Sequence, residues 1–183
     1  MNGNGVVERS GDTESKMSEI EVMVEGEGLA EVDIIRIPAG SVTGAIVAAV
    51  AVRGGFPVDG AALFIEDCED SVDLTIVVVE EDVAGKVHHV HRAHKIEVGV
   101  FYQGRKLTRR FAPSVRVQRV LDWAVGTDGF RIDPPIAPEM ELALHGQTTA
   151  LPKNAHIGRY IRHPHCELDF DLIRGIVPNG ASL

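Results

Sequence analysis

Lys95-Ile96-Glu97-Val98-Gly99-Val100-Phe101-Tyr102-Gln103-Gly104-Arg105-Lys106-Leu107-Thr108-Arg109-Arg110-Phe111-Ala112-Pro113-Ser114-Val115 is the stretch that decides the fold. Ile96, Val98 and Val100 recur at every second position, the period of a half-buried strand. Gln103-Gly104-Arg105 then makes a tight hairpin turn, with glycine supplying backbone angles that other residues resist. A second strand is expected over 106–111. Ser114, following Pro113, reads as a helix N-cap. A helix is expected over 115–125, because Val117, Val120, Leu121 and Ala124 fall on one apolar stripe.

Further along, residues 140–144 read as a third strand that turns at His145-Gly146, and a short turn is expected over 156–160. The last strand spans 166–172, with Cys166, Leu168 and Phe170 on the core face and Glu167, Asp169 and Asp171 facing out. The order is β-β-α-β-β. A right-handed crossover through the helix is expected to bring in a parallel strand. That is the β-grasp arrangement, of class α+β, a mixed sheet packed on one helix. Arg109 shares the parity of Leu107 and Phe111, which a regular strand does not explain unless it is bulged there.

The same pattern occurs earlier in the chain. Residues 19–24 repeat 95–100 at an offset of 76, Ser41 matches Ser114 at 73, and Gly55-Phe56 matches Gly129-Phe130 at 74. The chain therefore reads as two tandem β-grasp domains, over 18–92 and 93–175, after a disordered tail over 1–17. In the first copy the hairpin spans 20–37, the helix 42–53, a strand 62–65 and the last strand 86–92. Residues 75–79 are β-branched and read either as a further strand or as a covering segment.

Composition bounds the function. Of 183 residues, 44% are hydrophobic and 25% charged, ordinary for a globular protein. No apolar run approaches the ~20 residues of a membrane span, and residues 1–17 lack the basic start and apolar stretch of a signal peptide. Two cysteines make no disulfide framework, so a cytoplasmic setting is expected. Residues 1–85 carry 4 basic and 18 acidic side chains, and residues 86–183 carry 14 basic and 9 acidic. The acidic half would repel nucleic acid phosphates.

Residues 89–105 at the junction and 156–175 at the end, with Pro113-Ser114-Val115 and 142–147, resemble ubiquitin and, as a pair, the bacterial tandem ubiquitin-like modifiers of Bil-type anti-phage conjugation operons. These in turn are similar to the two-domain interferon-induced modifier of vertebrates. The resemblance implies a non-enzymatic covalent tag. Its processed C-terminal glycine would be activated by a cognate ATP-dependent enzyme, passed to a conjugating enzyme and delivered to target proteins. The aligned glycine is Gly175, with Gly180 as the alternative terminus, and Leu172, Ile173 and Arg174 form the tail read by the activating and processing enzymes. Residues 176–183 would be removed by a JAB-type peptidase. No cofactor, nucleic acid or membrane partner is implied. Outward Glu167 and Asp169 depart from ubiquitin's docking face, so ordinary ubiquitin receptors should not bind.

Other candidates have plainer readings. His88, His89, His91 and His94 form one cluster, and His163, His165 and Cys166 a second, a ligand set that suits zinc. Strand alternation puts His89 and His91 on one face and His88 and His94 on the other. Neither segment alone offers a tetrahedral set, so surface histidines, no metal and zinc-independent folding are expected. Cys68, among acidic neighbours, and Cys166 read as structural thiols. Arg105, Lys106, Arg109, Arg110, Arg116 and Arg119 form a basic surface, either a docking face for an acidic partner or a solvated face. The competing functions are an unconjugated tandem β-grasp adaptor and a metal-binding accessory protein.

Overall fold

The computed structural model describes residues 18–175. The expected N-terminal tail and the C-terminal extension, with Gly180, lie outside the described residues. The chain begins with β1 (Glu19–Gly26), which pairs antiparallel with β2 (Asp33–Pro38) in register from Glu19↔Pro38 to Val24↔Asp33. Ile20, Val22 and Val24 are buried against α1 (Gly44–Gly54), whose Ile46, Val47, Val50 and Ala51 form the facing stripe. Then come β3 (Ala62–Ile65), β4 (Ser71–Val72), the one-turn helix α2 (Glu80–Val83) and β5 (Val87–His91). The sheet order is β2-β1-β5-β3-β4, with β5 parallel to β1 and antiparallel to β3.

The second half repeats the plan. β6 (Ile96–Tyr102) and β7 (Arg105–Phe111) form the hairpin, α3 (Val117–Val125) crosses the sheet, and β8 (Met140–Leu144) and β9 (Glu167–Arg174) complete the order β7-β6-β9-β8. The sequence repeat is thus a repeat of fold, two tandem β-grasp domains. One expectation is corrected in both halves. The strand after the helix is not the parallel one; the last strand is, inserted between the first and third. There it pairs its backbone on both edges, which a strand at the margin does not.

The β6–β7 turn is a two-residue turn with positive φ at Gln103 (48°) and Gly104 (76°), the geometry that matches strand twist. The register beyond it is continuous from Tyr102↔Arg105 to Ile96↔Phe111, so no bulge accounts for Arg109. β7 is an edge strand, and the exposed Arg109 guanidinium lies 5.0 Å from the Phe111 ring centroid. The long stem lets the charge reach water from an inward-parity position.

Three local readings change. Ser114 does not cap α3. The amides of Val117 and Gln118 instead donate to the carbonyls of Ala155 and Lys153, each at 2.9 Å, while buried Ser114 donates its hydroxyl to the Cys68 carbonyl at 2.9 Å. Residues 75–79 form the covering segment rather than a strand. The carbonyls of Ile76 and Leu74 accept from Thr43 and Gly44, at 2.8 and 2.9 Å, and so satisfy free amides at the start of α1. Cys166 is exposed, at the rim just before β9, where its parity no longer points into a core.

Over β5, β3 and the end of β1 the first sheet is covered on both faces, while Glu21, Ile34 and Arg36 leave the rest of its outer face exposed. Leu63 and Val90 point into the core under α1. Ala62 and Phe64, on the other face of β3, belong instead to the second half's core, with Phe111, Val115 and Ile157. On that same outer face Glu25, Glu27, His89 and His91 are all buried beneath residues 155–163. His88, on the opposite face of β5, is buried too, so the surface-histidine reading holds only for His94, His163 and His165. Phe64, 2% exposed, joins the two halves. Phe64→Ala should destabilise the full chain by ~3–5 kcal/mol. Because a strand of the first sheet places this side chain in the second half's core, calorimetry should show a single transition moved downward; two transitions, only one of them shifted, would refute that coupling.

Candidate functional site

The C-terminal strand carries the tail residues. Leu172 is 5% exposed and packs in the core, Ile173 is half-buried and Arg174 is exposed. All three are still in the sheet, paired with Leu142, Glu141 and Met140 of β8. Arg174 forms an ion pair with Glu139 at 2.5 Å, and the Gly175 amide donates to the Glu139 carbonyl at 2.7 Å. Gly175 therefore sits at the lip of the sheet, held by one backbone bond, rather than out on a free tail. A Cβ there would meet the Glu141 carboxyl at 3.0 Å, the movable end of a side chain. Beside Leu172 and Ile173, the β6–β7 turn and residues 146–148 border an open groove. The acidic row on β9 is largely neutralised within the chain. Asp169 pairs with Lys106 at 2.9 Å, and Asp171 accepts from His145 and from the Gly146 amide, each at 2.8 Å. Burial works against the Asp171 charge, yet those two donors hold its carboxyl below the ordinary range.

The basic surface is split in two. Arg105, Arg109 and Arg110 are exposed on β7. Arg116 and Arg119 are engaged by the first half's own acidic loop, residues 66–70. Asp67 pairs with Arg116 at 2.5 Å and its carbonyl accepts from Arg119, while Glu69 pairs with Lys95 at 2.9 Å and accepts from the Ala112 amide at 2.9 Å. The acidic partner of this face is thus intramolecular. Burial opposes ionisation of Glu69, but Lys95, the Ala112 amide and Arg119 outweigh it and hold its carboxyl below the usual carboxylate range.

The histidines divide differently from the sequence clusters. His89 and His91 share a face, with rings stacked at 6.0 Å, as alternation requires. The partner of His89 is His156, from the second half, with Nδ1 atoms 3.2 Å apart. Buried Glu25 on β1 lies 2.9 Å from His156 Nδ1. Sequence reading missed this trio because its members are 131 residues apart at the extremes. The available signal was the paired histidines of β5 on a face with no covering helix of its own. His163, His165 and Cys166 stay exposed, as does Cys68, so neither thiol packs in a core. No helix among the described residues is long and apolar enough to cross a membrane.

A hairpin, a crossover helix and a last strand inserted beside the first, given twice, define a tandem ubiquitin-like protein. Residues 97–175 match the sequence model of the family described as BilA ubiquitin-like domain 2. The second half is thus a Bil-type ubiquitin-like domain, and the first half repeats its fold. Among solved structures it is similar to the N-terminal ubiquitin-like domain in the 4931431F19Rik protein, at 14% identity over 50% of this chain and 92% of that one, TM-score 0.35. It is also similar to the C-terminal ubiquitin-like domain of mouse tubulin-specific chaperone e, at 11% identity over 44% and 92%, TM-score 0.31. No curated protein matches.

The Glu69 contacts carry a signed expectation. A carboxyl depressed in the folded state stabilises above its unfolded value, ~4.3, and that contribution is lost as pH falls through the folded value. Glu69→Gln should therefore be less stable than the parent at pH 7, with the gap closing as both are unfolded by denaturant at progressively lower pH below 4. A gap independent of pH would mean that Glu69 acts through packing alone.

Proposed function

We propose that the chain is a protein modifier, joined to target proteins through a processed C-terminal glycine, and that it works in bacterial anti-phage defence. The observation that carries the reading is the family match over 97–175, which ends at Gly175, where β9 delivers the backbone to the lip of the second sheet. In this scheme the glycine carboxylate attacks ATP, releasing pyrophosphate. An enzyme thiolate then displaces AMP, and a target amine displaces the thiol to leave an amide. The chain contributes an unhindered acyl carbon, since a residue without Cβ lets a narrow channel close on the backbone. The catalytic groups belong to the activating and conjugating enzymes, and a JAB-type peptidase exposes the glycine. The domains are 18–92 and 93–175, and the setting is cytoplasmic.

One observation favours a second terminus. Gly175 is bonded to Glu139 and follows directly on a paired strand, so threading it into a channel first requires that end of β9 to peel away. Gly180 stands five residues further on, a reach of roughly 16 Å when extended.

Intact mass after co-expression with the cognate peptidase separates the two, with a product ending at Gly175 expected. In a form ending there, Gly175→Ala should change stability by less than ~0.5 kcal/mol, because the Glu141 side chain can swing away and the chain end can shift a few tenths of an ångström from the Glu139 carbonyl at 3.2 Å. It should nonetheless abolish most conjugation in a gel-shift assay with the purified enzymes. Conjugation of this variant at the parent rate would remove the need for a bare glycine at 175, a mature product ending at Gly180 would move the terminus there, and a chain never cleaved nor conjugated would favour the unconjugated adaptor.

A further inference from the structure

Three side chains meet where the two halves close on each other: Glu25 from β1, His89 from β5 and His156 from the segment before the 3-10 turn Ile157–Tyr160. None is more than 2% exposed. His156 Nδ1 lies 2.9 Å from Glu25 Oε2 and 3.2 Å from His89 Nδ1, and the three ligand atoms all lie within 4.8 Å of one another.

Protons alone serve this arrangement poorly. His156 Nδ1 has at most one hydrogen, and both the Glu25 oxygen and His89 Nδ1 need it. With His89 accepting, its own proton sits on Nε2, which is buried without a partner. With that proton moved to Nδ1, it faces the hydrogen already on His156. Glu25 Oε1 is also without a hydrogen bond; its nearest cation is Arg159 Nε, at 3.6 Å. The neighbouring His91 makes the contrast. Its Nδ1 accepts from the Ala93 amide at 2.7 Å and its Nε2 lies 3.2 Å from the Ile161 carbonyl, so both nitrogens are satisfied.

We propose that Glu25, His89 and His156 form a zinc site that ties the two domains together. Two imidazoles and one carboxylate are zinc donors. At metal–ligand distances of about 2.0–2.1 Å, tetrahedral neighbours lie about 3.3 Å apart, close to the two spacings from His156 Nδ1, 2.9 and 3.2 Å. The cation takes the place of the contested hydrogen, and the free Glu25 Oε1 completes the coordination. His156 Nε2 stands 3.2 Å from Glu66 Oε1, the carboxylate–imidazole pairing that fixes a ligating ring. Glu25 and Glu66 balance the two charges. Gly158 packs its bare backbone on His89, where a Cβ would collide with the ring. The site stands apart from the C-terminal glycine, and its test reads metal rather than conjugation.

The full chain, freed of metal by a chelator, is titrated with zinc in a calorimeter and with cobalt(II) in a spectrophotometer. One ion per chain is expected, with the intense visible absorption of tetrahedral cobalt and a rise in melting temperature. His156→Gln should lose at least tenfold in affinity, and Glu66→Gln, a half-buried position that leaves the ligands in place, about tenfold. A variant with His163→Ala, His165→Ala and Cys166→Ser, which removes the exposed cluster, should bind as the parent does. Should His156→Gln fail to fold, Glu66→Gln and the triple variant still decide the question. No stoichiometric binding by the unaltered chain, or binding lost with the exposed cluster and kept in Glu66→Gln, overturns the site.

Discussion

The first sheet is buried on both faces along β5 and β3, and much of the molecule follows from that. One side rests on α1, and the other lies under the loop and 3-10 turn of the second half. A strand buried on both sides normally reads as an unbroken apolar run. β5 does not: its Val90 enters the core under α1 while His89 and His91 enter the junction. The junction is thus a polar layer, closed by Glu25, Glu27, His156 and Arg92, between two apolar cores. Glu27 shows how such a layer is tolerated. Its carboxylate meets the Arg92 guanidinium at 2.5 Å and accepts from the His163 amide at 3.0 Å, so the buried charge is paired from both halves.

The charge imbalance along the sequence has a related explanation. Residues 1–85 hold 18 acidic side chains, and some of the most acidic stretch, residues 66–70, is spent on the other half. Asp67 and Glu69 reach the backbone amides of Arg116 and Ala112 as well as the side chains of Arg116 and Lys95. The amides of Ala112 and Arg116, just ahead of α3, are therefore satisfied from the other half of the chain, while the first-turn amides of Val117 and Gln118 are met within their own half. The two halves are fitted to each other in chemistry as well as in shape.

This also marks where the sequence stops being legible. The alternation in β6, the Gln103-Gly104 turn and the α3 stripe are local signals, and the structure follows them closely. What went astray depended on contacts from far along the chain. Ser114 has the composition of a cap, but its hydroxyl is taken by Cys68, 46 residues back. Residues 75–79 have strand composition, but their neighbours' carbonyls are drawn to the start of α1. Cys166 has core parity at a rim where nothing covers it. Histidines on β5 look like surface groups until a second domain is laid over them. The Gly175 region was legible as the end of the last strand but not as a paired one, because the Glu139 carbonyl that holds it is 36 residues away.

The place of β9 has a mechanical meaning. It lies between β6 and β8, bonded to β6 over 167–171 and to β8 over 170–174. A pull on the chain beyond Gly175 acts along the strand axis, and the parallel ladder with β6 must then slide as a whole. The same pull on an edge strand such as β7, taken across its axis, would open its ladder one rung at a time. A protein tethered by its C-terminus, or dragged by it into a narrow channel, would meet the load with a strand held between two others.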